Sequence, residues 1–190
     1  MEKSKIIIIE GAQGAGKTTY SDFIRHYLPH TNLYRLSGIS DSIIAGYEKS
    51  KNMYFHLLDY IEGMQGIDIN LLFDRTFFSE ENYCRLGKKD YSFSEVYYKL
   101  VEKLNNLDFD IYFINLYIDN HDIFEKRLGR KDKANVSYAK FAVENSVKQQ
   151  DMYIEMTKEL QNIAKNIKVF NISTDRDMDI VKKDIIDILK

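Results

Sequence analysis

The sequence predicts a three-layer α/β fold, a parallel sheet of about five strands with helices on both faces. Two observations carry this. Apolar runs of strand length alternate along the chain with segments whose apolar residues recur at helical spacing, the pattern of parallel strands joined by crossover helices. The first strand also runs directly into Gly11-Ala12-Gln13-Gly14-Ala15-Gly16-Lys17-Thr18, a glycine loop that opens a helix. With 190 residues, 44% of them hydrophobic, and no linker-like stretch, one domain over 1–190 is expected.

Each element has its own signal. Lys5 to Glu10 is the first strand, four of its residues isoleucine. Tyr20, Phe23, Ile24, Tyr27 and Leu28 mark a helix that Pro29 stops. Asn32 to Leu36 reads as the second strand. A long helix capped at Ser40 or Asp41 should then run to about Gln65, with Ile43, Tyr47, Tyr54, Leu57, Ile61 and Met64 on one face. Asn70 to Phe73 is a fully apolar strand that closes on Asp74-Arg75. Ser92 and Glu95 have capping-box spacing, and Phe93, Tyr97, Leu100 and Leu104 form the inner face of the helix they open. Asp110 to Ile118 is the fourth strand, with Asp119 or Asn120 as a cap for the next segment. A long helix places Tyr153, Met156, Leu160, Ile163 and Ile167 in phase. Lys168 to Ile172 is the fifth strand, and Val181, Ile185 and Ile188 mark the terminal helix.

Bulk properties narrow the function. A net charge of −2 gives no global field for nucleic acid, so no nucleic-acid partner is expected. The single Cys84 rules out an intramolecular disulfide, and the apolar N-terminal run is far too short for a membrane span. A cytoplasmic protein without a membrane role is expected. Its four histidines are scattered and no His/Cys cluster has zinc-ligand spacing, so any metal should arrive with a nucleotide.

Three stretches carry chemistry. The spacing G-x-x-x-x-G-K-T, between a strand and a helix, is that of a phosphate-binding loop. Its glycines let backbone N–H groups turn inward, and the adjoining helix adds its positive end. Gly11 to Thr19 would therefore cradle ATP, with Lys17 on the β and γ phosphates and the Thr18 hydroxyl on Mg²⁺. Asp74-Arg75 lies at the carboxyl end of a buried strand, the edge where open α/β sheets bind ligands. Asp74 is placed to hold Mg²⁺ with Thr18, and Arg75 to reach the acceptor or the phosphoryl group in flight. Lys126 to Lys133 holds five basic residues in eight and a glycine, the composition of a lid over about 126–135 that brings Arg127 and Arg130 to the phosphates. The stripe around Tyr54 and Phe55 offers rings for a base to stack on, although such stripes are as often core.

These residues resemble a known family. Ile9 to Thr19 looks like the phosphate loop of thymidylate kinases and the related deoxynucleoside kinases. Asp74-Arg75-Thr76-Phe77-Phe78-Ser79 with Tyr83 is similar to the DR(Y/H)xxS…AY motif of the first group and the ERSxxS motif of the second. Arg127 to Lys133 resembles their lid, and Phe141, Gln149 and Tyr153 fall where thymidylate kinases carry Phe, Arg and Tyr. The resemblance implies an ATP- and Mg²⁺-dependent kinase with adenine near Ser173 and Thr174, and, since members of the family are commonly homodimers, the apolar faces of the helices after residues 40 and 75 could supply such an interface. It implies catalytic roles for Lys17, Asp74, Arg75, Arg127 and Arg130, and a substrate site including Arg35, Tyr54, Phe55, Arg75 and Ser79.

The chain also departs from both groups. Gln13 replaces an acid common in thymidylate kinases, and Tyr34 to Gly38 keeps the Arg but lacks the Glu of a TREPGG-like segment. No Glu lies between Glu10 and Glu48 to act as a nucleoside kinase base, leaving Asp41 as the substitute. The resemblance points first to a pyrimidine deoxynucleoside monophosphate as acceptor. A deoxynucleoside, another 5′-hydroxyl or small molecule, or a non-catalytic nucleotide-binding module stay open beside it.

Overall fold

A computed structural model describes residues 3–128 and 143–190. Five strands form one all-parallel sheet: β1 (Lys5–Gly11), β2 (Thr31–Arg35), β3 (Asn70–Asp74), β4 (Asp110–Tyr117) and β5 (Ile167–Ser173), in the spatial order β2-β3-β1-β4-β5. The described helices are α1 (Lys17–Tyr27), α2 (Ile44–Gly63), α3 (Phe77–Arg85), α4 (Ser94–Asn105), α5 (Asp122–Leu128), α6 (Val143–Ile163) and α7 (Met178–Leu189).

The β1 isoleucines show why the layers form. Strand side chains alternate between faces, so Ile6 and Ile8 join a core with α2, α3, α4 and α6, while Ile7 and Ile9 join a second core with α1 and α7. All four are at most 2% exposed, and each such burial contributes about 1.5–3 kcal/mol. The register then aligns the functional ends of three strands, because Asp74 pairs with Ile9 on one side and Arg35 on the other. That edge is where β1 meets the glycine loop.

Several boundaries differ from the sequence reading. Helix α2 begins at Ile44 because Asp41 is occupied before it: its carboxylate accepts from the Ile43 N–H (3.2 Å) and the Lys49 ammonium (2.6 Å). Ile43 consequently lies outside the helix and is 55% exposed. The Ser92/Glu95 capping box does not form; α4 starts at Ser94, the Ser92 hydroxyl accepts only weakly from the Ser94 N–H (3.4 Å), and Glu95 pairs with Lys99 instead (2.6 Å). Ile167 opens β5 rather than extending α6. Of the two caps considered before α5, Asn120 is the one used, accepting from the Asp122 N–H at 3.1 Å. Helix α7 is capped by Asp177, which takes the Asp179 and Ile180 N–H groups.

Phe77 and Phe78 of α3 are at most 1% exposed and stack on each other inside the core. No described helix is long and apolar enough to cross a membrane.

Candidate functional site

The glycine loop adopts the curled backbone expected of a phosphate-binding loop. Gly14 and Gly16 have φ of 89° and 96°, a left-handed conformation that would strain any other residue, and Gly16 stands as the N-cap of α1 without a side-chain cap. The first N–H groups of α1 therefore face the loop. Lys17 is buried at 6% exposure, and its ammonium donates to the carbonyls of Gly11 (2.7 Å) and Ala12 (2.8 Å), drawing the loop around itself. Ala12 and Ala15 are fully buried in the adjoining core clusters and do not line the cleft.

A cleft of about 230 Å³ lies over this loop, lined by Gln13, Gly14, Gly16, Lys17, Thr18 and Thr19, and beyond them by Tyr20, Asp74, Arg75, Arg127 and Met178. At its floor the Thr18 hydroxyl donates to the Asp74 carboxylate at 3.3 Å, so the two predicted metal ligands converge. No group of three His, Cys, Asp or Glu residues that could hold a metal by itself occurs among the described residues. Arg127 reaches back from α5 to donate to the Gly14 carbonyl (3.1 Å) and to the Thr174 hydroxyl (3.0 Å), which in turn donates to the Ala15 carbonyl (2.8 Å). Thr174 thus sits behind the loop. Arg130, Phe141 and the rest of the lid beyond residue 128 lie outside the described residues.

Beside this cleft lies a larger cavity of about 690 Å³. Arg35, Arg75 and Lys88 bring cationic side chains to it, Lys89 lines it with its ammonium turned to the Ile39 and Asp41 carbonyls, and Asp74 is the one carboxylate among its described lining residues. Its wall between β2 and α2 is the segment Leu36 to Ser40 with Ser42. The two spaces share Gln13, Asp74 and Arg75. Arg75 donates to the Gln13 side-chain oxygen (3.1 Å) and to the Tyr83 hydroxyl (3.4 Å), while Arg35 lies 3.8 Å from Asp74 and also pairs with Asp22. Arg75 holds its guanidinium there on a backbone with φ of 75°, uncommon for a non-glycine residue. Burial opposes its charge, but Tyr83, Tyr153 and Glu10 outweigh that and hold it firmly protonated.

Glu10 is the residue sequence reasoning missed. It is fully buried beneath Arg75 and accepts from the Thr76 N–H (2.7 Å), the Thr76 hydroxyl (3.3 Å), the Ser79 hydroxyl (2.8 Å) and the Tyr153 hydroxyl (3.0 Å). Burial pushes its carboxyl above the usual range, and the Ser79 and Thr76 bonds only partly offset that. By holding Thr76 it fixes the strained residue before it. The signal present in the sequence was a lone carboxylate ending an isoleucine strand.

Three expected substrate contacts are corrected by burial. Tyr54 is 1% exposed and packs edge-on against Phe77 and Phe93, so it is core. Phe55 packs partly buried against that same cluster and does not line the cavity. Ser79 is 2% exposed and bonds Glu10 and Tyr153, one layer below the cavity. Helical periodicity does not distinguish a core stripe from a pocket stripe. Asp41, the substitute base, does not line the cavity, and Lys49 holds its carboxyl below the usual range. Lys88 and Lys89 enter the site only through tertiary packing, from the loop after α3.

A glycine loop between β1 and α1, with an acid at the end of the adjacent β3, defines a P-loop fold of the nucleotide-kinase type. Solved structures agree. The thymidylate kinase of Candida albicans superposes with a TM-score of 0.69 at 15% identity, covering 98% of this chain and 91% of that one. The deoxyadenosine kinase of M. mycoides, solved with products dCMP and dCDP, superposes with a TM-score of 0.56 at 22% identity, covering 97% of each. At these identities the likeness establishes the fold. No family model matches the chain, and no curated protein matches it in sequence.

Proposed function

We propose that the protein is an ATP-dependent kinase whose acceptor is a nucleoside monophosphate. The observation that carries this is the shared wall: the phosphate-loop cleft and the cationic cavity meet at Gln13, Asp74 and Arg75, so a donor in one and an acceptor in the other face each other across those residues. The donor side fits ATP with Mg²⁺, because the glycine loop is already curled, Lys17 is drawn into it, and the Thr18 hydroxyl and Asp74 carboxylate converge at 3.3 Å. When bound, Mg·ATP supplies the transferable phosphoryl group and the divalent charge that offsets its oxygens.

The chain's own groups do the rest. Lys17 and the α1 N-terminus bind the donor phosphates, and Arg127 closes the far side of the loop. Arg75 lies on both sides of the transfer line, where a guanidinium can meet the acceptor's phosphate and the charge that develops between the two groups. An alcohol acceptor loses a proton during transfer and needs a base, whereas a phosphate acceptor does not. Asp74 is taken up by Thr18 and Arg35, and Asp41 by Lys49, so the cavity offers cations and no unengaged base among its described residues. This favours a phosphorylated acceptor over a nucleoside. The similarity of Asp74-Arg75 through Tyr83 to the thymidylate kinase motif makes a pyrimidine deoxynucleotide the first to try.

ADP release measured across nucleoside monophosphates and nucleosides, with ATP and Mg²⁺, tests the reading. Turnover with one or more monophosphates and little with nucleosides is expected. Preference for a nucleoside, or ATP binding without any turnover, would reject it.

A further inference from the structure

The cavity wall between β2 and α2 is held in place by a residue outside the motifs that carry the resemblance. Lys89 is buried, its side chain 7% exposed, and its ammonium donates to the backbone carbonyls of Ile39 (2.5 Å) and Asp41 (3.1 Å). The next residue adds a third tie, the Asp90 N–H donating to the Ser42 carbonyl at 2.8 Å. Behind Lys89 stands Glu80, fully buried, with Oε1 3.4 Å from the ammonium and accepting from the Tyr91 hydroxyl at 2.5 Å. The other Glu80 oxygen is buried without a hydrogen-bond partner among the described residues, 3.5 Å from where a side chain on Gly38 would begin. The Asp41 carboxylate is bound on its outer side by Lys49.

A connection of this kind, without regular structure, has no hydrogen-bond ladder to keep its shape. Here the shape comes from outside, through a buried ammonium aimed at two of its carbonyls. We propose that Lys89 is a positioning residue for the acceptor: by tying Ile39 and Asp41 to α3 through Glu80, it fixes the 36–42 wall of the 690 Å³ cavity before any acceptor arrives. A preformed wall lowers the ordering cost of binding, and its loss is felt by the acceptor rather than by ATP. The proposal rests on reading this cavity as the acceptor site.

The test uses the double variant K89M/E80Q, which removes the buried charge together with its partner and so leaves no unpaired carboxylate in the core. The expected result is a KM for the nucleoside monophosphate raised about tenfold or more, an unchanged KM for ATP, and faster amide hydrogen exchange across residues 36–43. K89R, which keeps a cation, should restore most of the acceptor affinity. Unchanged acceptor KM with unchanged exchange would overturn the proposal, and so would a parallel rise in both KM values, the mark of a general structural defect. Wild-type turnover tests the acceptor reading separately: if no monophosphate is phosphorylated that reading falls, while the exchange rates still decide whether Lys89 holds the segment.

Discussion

Arg75 and Glu10 form one device at the level of single residues. The carboxylate fixes Thr76, and so the Arg75 backbone stands in the left-handed region with its guanidinium between Gln13 and Tyr83. Two substitutions separate strain from chemistry. Arg75→Ala keeps the strained φ and loses the guanidinium, whereas Arg75→Gly loses both. The Gly variant should be more stable than the Ala variant by about 1 kcal/mol in chemical denaturation, and both should lose most activity. Equal stabilities would show that the backbone carries no strain there.

Glu10 predicts a pH dependence. Its folded pKa is raised above the ordinary 4.5 by burial, so between the unfolded and folded values the native state holds a proton that the unfolded chain has released. Its contribution is therefore complete below about pH 4.5 and declines as pH rises through the folded pKa. Glu10→Gln cannot ionise. The margin by which wild type exceeds this variant in denaturant melts should narrow as pH rises above 4.5; a widening margin would mean the four donors, not burial, set the titration.

Among the elements, α2 and the connection before it offer a matched pair of glycines. A Cβ at Gly46 would lie 2.1 Å from the Asp41 carbonyl oxygen, the same carbonyl that Lys89 holds, while one at Gly63 would meet nothing within 4 Å. Gly46→Ala should cost about 1–3 kcal/mol and weaken acceptor binding by displacing the wall. Gly63→Ala, at the last position of α2, should leave both intact or gain up to about 1 kcal/mol. Equal thermal stability of the two variants would contradict the close packing of Asp41 on α2.

The same scale shows what was legible in advance. The five strands and the glycine loop were readable because their signals are local: four isoleucines, a fixed glycine spacing, an apolar run closing on Asp74. Arg35 and Asp74 were legible singly, and their adjacency comes from the β2–β3 register. The cavity's other cations were not legible. Lys88 and Lys89 sit in an ordinary polar turn, and only the packing of α3 and α4 against the core delivers them to a wall made fifty residues earlier in the chain. Tyr54 failed in the opposite direction, since its helical phase is that of the core face it occupies.

For the molecule as a whole, metal and fold should be separable. No group of three His, Cys, Asp or Glu residues that could hold a metal occurs among the described residues, and on the proposed reading Thr18 with Asp74 would supply only part of a coordination shell. Chelation with EDTA should abolish turnover yet leave the melting temperature of the nucleotide-free protein unchanged, whereas Mg·ATP at 100 times its Kd should stabilise the fold by about 2.7 kcal/mol. A drop in melting temperature on chelation alone would reveal a structural metal.

The central claim is that the cationic cavity receives a phosphate and the glycine loop presents one. The most direct measurement offers γ-labelled ATP to the protein with an equimolar mixture of a pyrimidine deoxynucleoside and its 5′-monophosphate, and separates the products by charge. The predicted label is in the nucleoside diphosphate, with little in the monophosphate. Label in the monophosphate alone, or none in either product, would contradict the account.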